Sequence, residues 1–137
     1  IPLISFTTGT QLNNSYVSQN NIFVNVSVTE INEYTITFSL YNSTNDLINS
    51  TSFTDFTRKI NWTGLLDGTY YYIVTVNDTS GNSNSTETRT ITLDTTAPTL
   101  SSISSSVTSS SATITWTTNE NANSNVSFFS SFHSRGR

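Results

Sequence analysis

Few residues in this chain of 137 could carry acid–base, nucleophilic or metal chemistry. There is no cysteine, which removes thiolate nucleophiles, disulfides and zinc clusters. The one histidine, His133, stands in an aperiodic tail running from Ser130 to Arg137. A Ser–His–Asp arrangement needs a positioned imidazole, and a solvated tail residue does not supply one. Glu30 and Glu33 are the closest pair of carboxylates, the residue types of glycoside hydrolysis. They fall in a short loop between strands, where two solvated, inert acids are expected. No catalytic residue is expected, and the chain does not read as an enzyme.

Asp67, Asp78 and Asp94 lie near strand ends, where oxygen-only clusters can hold Ca²⁺. Asp67 is already accounted for by the turn it forms with Gly68. Asp78 shares the phase of Val74 and Val76, so its carboxylate is expected to turn in at the sheet end and accept loop N–H groups. No cofactor or metal ligand is therefore assigned, and Ca²⁺ is the one cation the pattern would suit. Asn-x-Ser/Thr triplets begin at Asn13, Asn25, Asn42, Asn49, Asn61, Asn77, Asn84 and Asn125. These eight compare with about six expected by chance from 17 Asn and 50 Ser plus Thr. Asn25, Asn61, Asn77 and Asn125 fall on the outward parity of their strands, where a glycan would fit.

The elements that must position these groups have a hydrophobic period of two. Ile22, Val24, Val26 and Val28 alternate with polar residues, as do Tyr34, Ile36, Phe38 and Leu40, and Tyr70, Tyr72, Val74 and Val76 repeat the spacing. Shorter strands are expected at Leu3 to Phe6, Leu47 to Phe53, Lys59 to Trp62 and Thr88 to Leu93. Between them, Asn42 to Asp46, the turn at Gly68 and the loop around Gly81 carry turn chemistry. No ten-residue stretch has helical spacing, and β-branched residues dominate. The fold class is all-β, an antiparallel sandwich of seven strands.

Ala97-Pro98-Thr99-Leu100 echoes Ile1-Pro2-Leu3-Ile4 at an offset of 96 residues, which implies a repeat unit of that length. Domain boundaries follow at 1–96, 97–129 and an irregular tail, 130–137. In the second part, strands are expected around Leu100, Ile103 and Val107, at Ala112, Ile114 and Trp116, and at Val126 with Phe128. A chain cut after Phe129 and a natural incomplete domain both fit this pattern.

The stretch Leu65 to Tyr70, the strand through Val76 and the loop Asn77 to Asn82 together resemble bacterial and archaeal immunoglobulin-like surface modules. Asp94 to Pro98 looks like the joint between such modules, and Ala112 to Ala122 is similar to the first half of a fibronectin type III domain. The resemblance implies an immunoglobulin-like sandwich followed by an incomplete second one. It also implies a tyrosine corner at Tyr70, whose hydroxyl would reach back to the backbone of the preceding turn. Trp62, in phase with Ile60, and Trp116, in phase with Ile114, are expected to be core anchors like Tyr70.

Charged residues make up 10% of the chain while Ser, Thr and Asn supply 67 positions, so hydroxyls and amides must solvate the surface. Residues 1–132 hold three basic and nine acidic side chains, a balance that repels a phosphate backbone and excludes nucleic acid. No apolar run approaches a membrane span. No charged segment followed by an apolar one opens the chain, so a mature secreted protein or a fragment is expected. The expected role is a non-catalytic structural or adhesive module of a cell-surface stalk or filament, secreted and extracellular. Its partners would be other copies or adjacent sandwich domains, with donor-strand assembly as one route. The alternative is a carbohydrate-binding accessory module using Phe23, Tyr41, Tyr71 and Phe128 or Phe129 against surface glycans.

Overall fold

A computed structural model describes residues 1–128; Phe129 and the tail 130–137 with His133 lie outside the described residues. The chain divides into two compact units, Ile1–Thr96 and a second that starts at Ala97. Every regular element among the described residues is a β-strand, and no helix is long and apolar enough to cross a membrane.

The first unit contains β1 (Leu3–Phe6), β2 (Ser15–Val17), β3 (Asn21–Thr29), β4 (Glu33–Tyr41), β5 (Leu47–Phe53), β6 (Lys59–Thr63), β7 (Gly68–Asp78), β8 (Ser83–Ser85) and β9 (Arg89–Leu93). A three-stranded sheet has the order β1-β3-β6, and a six-stranded sheet the order β2-β9-β7-β4-β5 with β8 also on β7. The expected seven strands are present, joined by two that the alternation did not reveal. Both additions are three residues long, too short to show a period. The sheet is also not wholly antiparallel, because β2 runs parallel to β9, pairing Ser15 with Ile91 and Val17 with Leu93. After β1 the chain leaves the small sheet and joins the edge of the large one.

Alternation places the core. Ile22, Val24 and Val26 face Ile36, Phe38, Leu40, Tyr72, Val74, Ile91 and Leu93, all buried, and Trp62 closes the layer at 7% exposure. Tyr72 meets Phe6 edge-on at 5.6 Å and Trp62 at 6.4 Å between ring centroids, while Phe38 meets Phe53 edge-on at 6.0 Å. Aromatic pairs in these arrangements add to the area they bury. Tyr34, expected inside, is exposed. The register shifts between Glu33 and Thr35, so the residue at that point does not continue the inward row. Tyr70 is partly buried against the core, and its hydroxyl donates to Leu66 O at 3.0 Å, the link expected of the turn before β7.

The second unit holds β10 (Leu100–Val107) and β11 (Ala112–Thr118), an antiparallel hairpin whose register slips between Ser101 and Ser104. Residues 119–128 form no strand, so the third strand expected at Val126 and Phe128 is not made. Trp116, expected in a core, is only half-buried, and the described residues of its unit form a single two-stranded sheet.

Replacing Phe38 by Ala is expected to cost about 3–5 kcal/mol, and Tyr70 by Phe about 1 kcal/mol. Urea unfolding followed by tryptophan fluorescence measures both, and equal losses would contradict this packing.

Candidate functional site

The polar residues singled out by the sequence are mostly occupied in holding loops. Asp78 is buried, and its Oδ1 accepts the N–H groups of Ser80 at 2.8 Å and Asn82 at 2.9 Å, while Oδ2 accepts Asn82 Nδ2 at 2.7 Å. The Asn82 side chain first, and then these backbone donors, hold its carboxyl below the usual carboxylate range. At the other end of β7, Asp67 accepts Thr95 N, Thr95 Oγ1 and Thr96 Oγ1 at 2.8–2.9 Å, and its carboxyl is lowered chiefly by Thr95. Asp94 Oδ1 accepts Thr96 N at 3.2 Å. Asp67 thus precedes the eleven residues of β7 and Asp78 is the last of them, and the three aspartates are not brought together. Among the described residues no group of three His, Cys, Asp or Glu is placed to hold a metal ion.

The acid pair of the β3–β4 turn separates in role. Glu30 Oε1 accepts Asn32 N at 3.0 Å. Glu33, expected to be solvated, has a side chain only 3% exposed and forms a two-point bridge with Arg58 at 2.6 and 2.8 Å. Nothing local in the sequence points to this partner, because Arg58 lies 25 residues away and is brought alongside by the path of β4, β5 and β6.

The eight Asn-x-Ser/Thr sites also differ. Asn77 Nδ2 donates to Thr35 Oγ1 and Asn84 Nδ2 to Pro2 O, at 3.2 and 2.9 Å. Asn42 Nδ2 donates to Asp46, and Asn25 Nδ2 reaches Thr8 O at 3.3 Å. Asn49 accepts Trp62 Nε1 at 3.0 Å, which satisfies the one polar atom of that buried ring. Asn13 Oδ1 accepts Thr90 N at 2.8 Å. Asn13, Asn49, Asn61 and Asn125 are exposed, and no described residue accepts from their amide nitrogens.

The aromatic candidates fall on three surfaces. Phe23 lies on β3 in the small sheet, beside Gly9, which has φ +96° and whose hydrogen faces the ring where a Cβ would come within 3.0 Å. Phe128 belongs to the second unit and is exposed. Tyr41 and Tyr71 are direct cross-strand partners on the outer face of the large sheet. Tyr16, which alternation did not pick out, lies on β2 in register with Thr92 and is 80% exposed. In the second unit, Pro98, Leu100, Ile103, Ile114, Trp116 and Val126 line an open apolar groove of about 370 Å³.

No protein-family model matches the chain, and no curated protein matches it. Among solved structures it is similar to an engineered protein, determined by crystallography at 1.98 Å, with a TM-score of 0.51 and 12% identity. The likeness covers 69% of this chain and 20% of that one, so the chain corresponds to a fifth of the engineered protein's length. At that identity it shows the fold alone, an all-β sandwich.

The lowered carboxyl of Asp78 has a consequence with a definite sign. Stability it contributes is present above the ordinary carboxylate pKa and is lost as pH falls through its lowered folded value. Urea midpoints taken between pH 7 and pH 2 are expected to decline on the acid side, with a shallower decline in Asp78→Asn. An identical acid limb in the variant would remove Asp78 from this account.

Proposed function

We propose that the chain is a non-catalytic structural and adhesive module of an extracellular cell-surface protein, a unit of a stalk or filament. In this reading the first unit is an immunoglobulin-like sandwich and the second is related to the first half of a fibronectin type III domain. One observation carries it: β1 begins and β9 finishes at opposite ends of the sandwich. Leu3 pairs with Thr29, beside the turn into β4, and Glu33 pairs with Asp78 at the end of β7. Leu93 pairs with Gly68, where β7 starts. A pull along the chain therefore runs the full length of the unit.

The terminal strands are arranged to resist that pull. Because β2 and β9 are parallel neighbours, stretching loads their backbone bonds, including Asn14 N–H to Thr90 O at 2.8 Å and Asp94 N–H to Val17 O at 3.0 Å, in shear. The exit is clamped by Asp67 on Thr95 and Thr96, and the entry by Asn84 on Pro2. These features suit a load-bearing joint in a tandem array. Asn13, Asn49, Asn61 and Asn125 are the sequons whose amide nitrogens are open to a glycan coat.

Pulling single molecules of the full chain tests the load path, since forced unfolding reports the unfolding barrier. Proline at both Ser15 and Val17, which withdraws β2 from its ladder, is expected to lower the peak force of the first unit by about half. An unchanged force would argue against a load-bearing role for β2.

The second unit adds a route to assembly. A two-stranded hairpin with an apolar face is marginal alone in water, and strands donated by a neighbouring copy would cover Ile114 and Trp116 while pairing the free edges. Reversible association of the full chain, with residues 1–96 remaining monomeric, is the expected result in sedimentation velocity. A full chain that stays monomeric at high concentration would count against donor-strand assembly.

A further inference from the structure

The outer face of the large sheet differs from the rest of the first unit in two respects. It carries no charge: the outward positions of β4 from Thr35 to Tyr41, of β7 from Thr69 to Thr75 and of β9 at Thr90 and Thr92 are hydroxyl residues apart from Ile73. The three cations of the unit, Arg58, Lys59 and Arg89, stand elsewhere. Arg58 is bound to Glu33, Lys59 is on the small sheet, and Arg89 lies over the Phe6 ring at 4.2 Å.

The face also concentrates tyrosine. Tyr41 opposes Tyr71, which in turn opposes Thr90, and Tyr16 opposes Thr92 one strand further on. Residues in register share a face, so the three rings are on one surface. With neighbouring strands about 4.8 Å apart, Tyr16 and Tyr71 are separated by on the order of 12 Å. The six tyrosines divide by their hydroxyls. Those of Tyr70 and Tyr72 bond backbone carbonyls, at Leu66 and Gln11, whereas those of Tyr16, Tyr41 and Tyr71, and of Tyr34 at the start of β4, have no partner among the described residues.

Hydroxyl pairs surround the rings: Thr37 with Ser52 at 2.8 Å, Thr75 with Ser85 at 2.8 Å and Thr69 with Thr92 at 3.1 Å. Each pair uses one donor and one acceptor and keeps a further donor and several lone pairs for a ligand. Such a surface gives an anionic polymer no cation to bind and offers a protein partner no apolar centre, since its aliphatic side chains are Ile73 and, at the β5 edge opposite Tyr41, the exposed Leu47. It does suit a ligand that is itself uncharged, carries a hydroxyl on nearly every carbon and presents C–H faces to aromatic rings.

We propose that this face binds a neutral polysaccharide, with pyranose rings lying on Tyr71 and Tyr41 and the chain continuing toward Tyr16. The proposal gives a ligand class to the adhesive part of the reading above. It can fail without affecting the load path, because the force measurement involves no ligand.

Affinity electrophoresis of the full chain through gels containing hydroxyethylcellulose, xylan or galactomannan, with alginate as the anionic control, tests it. Retardation by at least one neutral polymer and none by alginate is expected. Tyr71→Ala should weaken it about tenfold, and Tyr71→Phe, which keeps the ring, about twofold or less. Because Tyr16 is 80% exposed, Tyr16→Ala should leave the melting temperature unchanged while weakening retardation, and it decides the matter if Tyr71→Ala fails to fold. The proposal is overturned by no retardation in any neutral gel, by retardation in alginate alone, or by retardation that Tyr16→Ala leaves intact.

Discussion

The first unit depends on the seat of Tyr72. Its ring is fully buried where the sheets meet, edge-on to Phe6 from β1 and tilted against Trp62 from β6, so one residue of β7 touches two strands of the opposite layer. Burial raises its phenol pKa, and its hydroxyl reaches Gln11 O at 3.3 Å, a carbonyl that also accepts Arg89 Nη1 at 2.7 Å. Gln11 lies in the connection that carries the chain from β1 to β2. The same ring that joins the layers therefore also fixes where the chain crosses between them, and with it the parallel pairing of β2 and β9.

Outside that seam the structure solves a different problem, which is how to finish a surface with very few ions. Hydroxyls pair across strands, and aspartates fold back on their own loops. Asp46 accepts Thr44 Oγ1 and Asn42 Nδ2, and Asp55 accepts the N–H and hydroxyl of Thr57. These are short-range arrangements that turn a flexible polar segment into a defined turn. Two contacts reach further: Asp67 holds Thr95 and Thr96 after β9, and the Glu33–Arg58 bridge, nearly buried on the Glu33 side, constrains how the start of β4 meets the β5–β6 connection.

Legibility in the sequence followed distance along the chain. Alternation identified the long strands and their buried faces, because a side chain's face is fixed by the pleat of its own strand. The Asp78 turn is local too, acting within four residues, whereas the reach of the Tyr70 hydroxyl to Leu66 is implied by the resemblance and not by alternation. Registers were not readable. Parity put Tyr41 and Tyr71 outside, but only the pairing of β4 with β7 places them opposite each other. Tyr16, on a three-residue strand, showed nothing until β2 was seen beside β9. Phe23 shows the reverse, an outward residue grouped with these tyrosines by parity and separated from them by belonging to the other sheet. Trp116 looked like Trp62 because both sit in alternating runs, and only the presence of an opposing layer distinguishes a core ring from a half-exposed one.

The mechanical and binding readings meet at β2. This strand contributes Val17 to the inner layer and Tyr16 to the outer face, so its docking on β9 creates the shear pair and completes the row of rings in one step. A polysaccharide lying across Tyr41, Tyr71 and Tyr16 would run diagonally across the strands, at an angle to a pull along the module. It would bridge β2 to β7 and β4 through contacts independent of the backbone bonds under load. Binding energy held in that direction adds to the cost of peeling β2 away, because the strand cannot leave without its share of the ligand contact. In such a module, adhesion and resistance to extension draw on the same three-residue strand.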